Sequence, residues 1–142
     1  MKYADMVRTA GDRIGFIDLT EAEQTLRAVL RTVAERVPAG LADHLAAQLP
    51  HELDGALRPA DPAAEAGHPR SVGERFDLTT FAGRVAWRAG VSEDTALRRS
   101  AAVLEVLDAA VAPESMEKLA RALPLDIRAL LPTARASGPP GA

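Results

Sequence analysis

The sequence predicts an all-α fold: a duplicated helical repeat forming one compact, pseudo-symmetric bundle. Three observations lead there. First, sliding the chain against itself by roughly 74 positions aligns one long stretch with another without a gap. Ala28-Val29-Leu30 falls on Ala102-Val103-Leu104, Val37 on Val111, Leu45-Ala46 on Leu119-Ala120, Leu49-Pro50 on Leu123-Pro124, and Leu57 on Leu131. Second, apolar residues recur at i, i+3, i+4 and i+7, the spacing of one buried helix face. No segment keeps the alternation of a half-buried strand. Third, capping residues, glycines and prolines punctuate these stripes where helices start and stop.

Residues 2–10 read as a short helix with Tyr3, Met6, Val7 and Ala10 on one face, stopped by Gly11, which tolerates a left-handed backbone. A connector carrying Phe16 and Ile17 follows. Thr20 and Glu23 have the form of a capping box, a hydroxyl at the N-cap and a carboxylate three residues on. The helix they open aligns Leu26, Val29, Leu30, Val33 and Val37, and Pro38-Ala39-Gly40 ends it. Leu41, Leu45 and Leu49 begin a third helix. Pro50 bends the chain, because the residue before proline avoids the helical region, and then opens a short helix with Leu53 and Leu57.

Residues 1–58 thus form the first repeat, and residues 59–75 read as an irregular, mobile linker dense in Pro and Gly. The second repeat, residues 76–131, follows the same plan. Asp77 caps a helix with Leu78, Phe81, Ala82 and Val85 inward, and Gly90 stops it. Ser92 caps a long helix carrying Ala96, Val103, Leu104, Leu107 and Val111. Pro113 restarts the chain with Met116, Leu119 and Leu123, and Leu123-Pro124 repeats the bend before Ile127, Leu130 and Leu131. Counting the short ones, about eight helices are expected. Residues 132–142 are Pro, Gly, Ser and Ala apart from Thr133 and Arg135 and read as a disordered tail.

Composition excludes several classes of function. The chain has no Cys, so disulfides, thiolate metal sites and thiol chemistry are out. A net charge of −3 gives no broad basic surface, which argues against nucleic acid as a partner. The longest nearly apolar run, residues 101–112, is broken by Glu105 and Asp108 and is too short to span a bilayer, so no membrane insertion is expected. The start of the chain carries no apolar signal core, and the expected location is the cytoplasm. Aromatic residues make up only 4%, so Leu, Val and Ala must build the core. No Gly-rich phosphate loop, nucleophile elbow or paired acidic motif is present, and no catalytic residue is assigned.

The long helix ending in Val37-Pro38 or Val111-Ala112-Pro113 is one recurrent feature. The turns Leu49-Pro50-His51-Glu52-Leu53 and Leu123-Pro124-Leu125-Asp126-Ile127 are a second, and the helix Phe81-Ala82-Gly83-Arg84-Val85-Ala86 is a third. In this order and duplication they resemble a small bacterial family of unknown function, DUF2267, over about residues 3–131. The resemblance implies an all-helical, two-repeat protein and brings no catalytic residues.

Candidate sites remain to be weighed. Asp43, His44, His51, Glu52 and Asp54 are metal-ligand types, but the Pro50 bend separates the histidines and no His-x-x-x-His pair occurs. No metal and no cofactor are expected. His68, with Arg70 and Arg75 nearby, reads as an exposed linker residue. Arg84, Trp87 and Arg88 are the candidate binding residues, with Arg98 and Arg99 following. They are either an anion-binding patch with an interleaved ring or a solvated face paired with neighbouring acids. Trp87 is either a partner-binding anchor or a ring packed against the N-terminal helix, the commoner fate and the one expected here. Ile127 to Leu131 has the look of a helical docking motif but is better read as core. The functional expectation is a non-catalytic cytoplasmic interaction or adaptor protein with a protein partner, self-association included. The alternative is a binder of a small apolar ligand between the two repeats.

Overall fold

The computed structural model describes residues 1–15, 17–58 and 73–132. Among them the chain forms eight α-helices and one 3-10 turn, with no strand. They are α1 (Tyr3–Ile14), α2 (Leu19–Arg36), α3 (Ala39–Gln48), the 3-10 turn (His51–Leu53), α4 (Asp54–Leu57), α5 (Leu78–Ala89), α6 (Glu93–Ala110), α7 (Pro113–Ala122) and α8 (Leu125–Arg128). The boundaries of α6 and α7 fall 74 residues after those of α2 and α3: 19 and 93, 36 and 110, 39 and 113, 48 and 122.

Helices α1, α2, α5 and α6 pack as a ring. α1 lies against both α2 and α6, and α5 against both α6 and α2. Each helix hairpin is therefore closed by the other. The faces that meet were set by periodicity: Met6, Val7 and Ala10 from α1; Leu26, Val29, Leu30 and Val33 from α2; Phe81, Val85 and Ala86 from α5; Val103, Leu104 and Leu107 from α6. All belong to one buried cluster that also takes in Leu45, Leu49, Leu53 and Leu57 and, from the second half, Met116, Leu119, Leu123, Ile127 and Leu131. The two Leu-Pro bends bury Leu49 and Leu123 to 8% and 5% exposure, and Pro50 and Pro124 each stand at the N-cap of the element that follows. The halves differ at their ends. α4 completes a helical turn and packs on α2, whereas the chain after Arg128 closes in short turns, with Leu130 N–H to Ile127 O and Leu131 N–H to Arg128 O bonds, and buries Leu131 in the core.

Several caps follow expectation and two do not. Asp77 accepts from the Thr80 amide and Ser92 Oγ from the Thr95 amide, and Gly90 closes α5 at φ 70°. α2, however, is capped by Asp18, whose carboxylate accepts from the Glu21 amide at 2.8 Å, and Thr20 lies inside the first turn. A carboxylate two residues earlier reaches the same orphan donors and adds its charge to the positive end of the helix dipole. α1 does not stop at Gly11 but runs on to Ile14, and Gly15 at φ 133° ends it. Gly11 is instead a close-packing position: a Cβ there would stand 3.4 Å from both Ala22 Cβ and the Ile17 carbonyl.

The expected linker and tail fall largely outside the described residues: positions 59–72, with His68 and Arg70, and positions 133–142. The last linker residues are described, and they are tied down. Glu74 N–H donates to the Glu35 carbonyl at 2.9 Å, and Gly73 sits so close to the Arg36 carbonyl that a Cβ would overlap it. Residues 73–77 thus form a strap along the C-terminal end of α2.

Candidate functional site

The inward register of α5 decides what its other face presents. Phe81, Ala82, Val85, Ala86 and Ala89 are buried, which leaves Thr80, Gly83, Arg84, Trp87 and Arg88 on the outward side. Trp87 is 85% exposed, the most exposed of the large apolar side chains among the described residues. The expected packing of this ring against the N-terminal helix does not occur. Trp87 lies off the Phe81–Val85 stripe, and α1 contacts α2 and α6 rather than the outer face of α5.

The two arginines beside it are turned inward onto one carboxylate. Arg88 donates from Nη1 and Nη2 to Oε1 and Oε2 of Glu35, both at 2.7 Å. Its Nη1 also reaches Thr32 Oγ1 at 2.9 Å, and that hydroxyl in turn donates to the Ala28 carbonyl at 2.8 Å. Arg84 Nη1 bridges Glu35 at 3.1 Å and Glu74 at 3.0 Å, while its guanidinium lies 4.1 Å above the Phe76 ring. Arg36 Nε donates to the Phe76 carbonyl at 3.0 Å, fixing the residue that carries this ring. The result is a ladder of α2, α5 and the strap, centred on Glu35, whose side chain is only 17% exposed.

The electrostatics follow from this arrangement. Burial pushes the Glu35 carboxyl upward, but hydrogen bonds and charge from Arg88, then Arg84, outweigh it and hold the group below its ordinary value. Glu74 beside the Arg84 guanidinium raises that group against a smaller opposing effect of burial, with Glu35 adding to the rise. The positive charge of both arginines is therefore matched within the molecule. Arg99 is likewise paired with Glu21 at 3.1 Å, and Arg98 donates to Thr95 Oγ1 at 3.2 Å.

Trp87 stands between two open grooves that share it and Arg88. One, of about 590 Å³, runs over the face of α5 and is bordered by Thr80, Gly83, Glu74 and Glu93. The other, of about 480 Å³, lies toward α2 and is bordered by Gln24, Arg27, Arg31, Gly55 and Ala56. Gln24 Nε2 donates to the Arg88 carbonyl at 3.0 Å and closes the helix interface beneath the second groove.

The remaining candidates are dispersed. His44 Nε2 stands 3.1 Å from Ser115 Oγ, which also accepts from Gln48 Nε2 at 2.6 Å. Gln48 Oε1 accepts from the Ala112 amide at 2.7 Å, so these residues tie α3 to the start of α7. Asp43 pairs with Arg58 at 3.2 Å, and His51 lies 3.2 Å from its exposed neighbour Glu52. Among the described residues no group of three metal-ligating side chains forms. Tyr3 is partly buried, with Arg27 5.4 Å from its ring centroid. Ile127 and Leu131 are buried.

Sequence reasoning missed Glu35, Thr32, Glu74 and Phe76, the partners of the two arginines. The one local signal was the spacing of Arg84 and Arg88, which puts two cations on one helix face and calls for an acid between them. Glu35 itself sits 49 and 53 residues away and carries no mark in its own neighbourhood.

The family model described as "Uncharacterized conserved protein (DUF2267)" matches residues 3–130 of this chain. No curated protein matches it. Among the described residues no helix is long and apolar enough to cross a membrane.

Proposed function

The chain belongs to the DUF2267 family, and we propose that it acts as a non-catalytic cytoplasmic interaction protein whose partner docks on the face of α5. The observation that carries this reading is Trp87. A tryptophan 85% exposed on a rigid helix keeps a large apolar surface in water, a standing cost that a partner removes. Such rings, with arginine nearby, are the usual anchors of protein interfaces. The ladder beneath holds α5 in place, so the anchor is presented with little entropy left to lose on binding. The cytoplasmic assignment draws on the lack of Cys, which suits a reducing compartment.

A photo-reactive side chain at the exposed position Thr80, beside Trp87 in the first groove, tests the reading in living cells. The expected result is discrete protein adducts that vanish when Trp87→Ala is added. Adducts that persist unchanged in that variant, or none at all, would overturn it.

A further inference from the structure

The two flanks of Trp87 carry opposite charge, and this points to a particular partner. On the α2 side stand Arg27 and Arg31, one turn apart, and among the described residues no carboxylate borders that groove. On the other side stand Glu93, at the start of α6, and Glu74. Arg88 and Arg84 are neutralised by Glu35 and Glu74, so the uncommitted charges lie further out. Among the described residues neither Arg31 nor Glu93 has an ion-pair partner, and both are exposed.

A uniformly acidic partner would satisfy one flank and be repelled by the other, and a basic partner the reverse. A surface with an acidic flank, a central apolar ring and a basic flank satisfies both, and this chain itself has such a surface. A two-fold axis beside Trp87 brings the two indoles together and sets Arg31 of each copy against Glu93 of the other. We propose that the face of α5 is the interface of a symmetric homodimer, centred on Trp87 and oriented by reciprocal Arg31–Glu93 pairs. This rests on the reading of Trp87 as a partner anchor and names the partner as a second copy.

Trp87 is the only tryptophan in the chain, so its emission reports the interface directly. The full chain should dimerise in sedimentation equilibrium, with a blue-shifted, more protected emission that tracks the dimer fraction and weakens in high salt. Trp87→Ala should raise the dissociation constant by about 30-fold or more, as loss of a central anchor does. Arg31→Glu and Glu93→Arg should each be monomeric alone. Mixed together they should form a heterodimer, and the double variant should dimerise with itself, because each restores both pairs across the axis. Thermal melts check that the variants are folded. Should a reversed charge lower the melt, Arg31→Gln and Glu93→Gln take its place: each alone should weaken the dimer, and their mixture should regain one of the two pairs.

A chain that stays monomeric at every concentration overturns the proposal, as does a dimer indifferent to Trp87→Ala or one that mixing fails to rescue. A monomer that still gives Trp87-dependent cross-links to another protein would remove the homodimer and leave the interaction reading standing. Loss of both would remove both.

Discussion

Arg88 grips Glu35 at two points, Nη1 to Oε1 and Nη2 to Oε2, each at 2.7 Å, from 53 residues further along the chain. With the Arg84–Glu35 contact at 3.1 Å, this pair joins the outer faces of α2 and α5 by ionised groups largely out of water. The guanidinium and carboxylate match in a planar fork, the strongest form of such a contact. Removing one partner leaves the other underpaired. We expect Glu35→Ala, which removes the carboxylate from Arg88 and leaves Arg84 with Glu74 alone, to cost about 2–3 kcal/mol in chemical denaturation. Arg88→Lys should cost part of that, since a point charge cannot reproduce the fork. A double-mutant cycle between Glu35→Ala and Arg88→Ala should show a coupling of about 1 kcal/mol or more. A cycle that closes to zero would make the pair a bystander of apolar packing.

The same carboxylate sets a pH dependence. Its folded pKa lies below the ordinary value of 4.5. For a depressed acid, the extra stability is fully present above the unfolded pKa and is lost as pH falls through the folded one. The wild-type chain should therefore lose its advantage over Glu35→Gln as pH drops below about 4.5, the unperturbed carboxylate value. Paired denaturation curves at neutral and acid pH measure this. A difference between the two proteins that stays constant across that range would mean that Glu35 does not titrate differently in the two states.

How much of this was legible in the sequence depends on how far each cause acts along the chain. The stripes Leu26–Val37 and Val103–Val111, the caps Asp77 and Ser92, and the bends at Pro50 and Pro124 arise within a few residues of themselves, and all were readable. Trp87 was half readable. The Phe81–Val85 stripe already placed it outside the core, yet the rarity of rings in this chain argued for burial, and register prevailed. The cap of α2 was misplaced because Asp18 and Thr20 are both good caps, and only the path of the chain before Leu19 chooses between them. The ladder Glu35–Arg84–Arg88 was not readable. Its members meet only because α5 packs on α2, and no local pattern states that neighbour relation.

Gly73 gives a test of the strap. A Cβ there would overlap the Arg36 carbonyl, so the backbone approach is possible only for glycine. Gly73→Ala should push the strap off α2, weaken the Glu74 N–H to Glu35 O bond and loosen Phe76 from under Arg84. The expected cost is about 1–2 kcal/mol, the range for overpacking at a close contact. Hydrogen exchange at the Glu74 amide should quicken well before global unfolding. Unchanged exchange there would show that the segment is held by something other than this contact.

The Leu-Pro bends provide the last test, because one substitution at each separates a structural role from a recognition role. Leu49 and Leu123 are both buried where a ten-residue helix turns into the next short element, α3 in one case and α7 in the other. Pro50 and Pro124 open those elements without sacrificing an amide the helix needs. A leucine packed in this way loses both its transfer energy and its contacts on truncation, and the space it leaves is only partly refilled. Leu49→Ala and Leu123→Ala should each lower stability by about 2–5 kcal/mol in chemical denaturation. The two sites are unequal in one respect: α4 covers the first bend with a helical turn on α2, and the chain beyond Arg128 offers the second only a looser turn. If that cover matters, Leu123 has more freedom to let the site collapse, and its truncation should cost the smaller amount within this range. A melt untouched by either change would mean that these leucines serve a partner rather than the core.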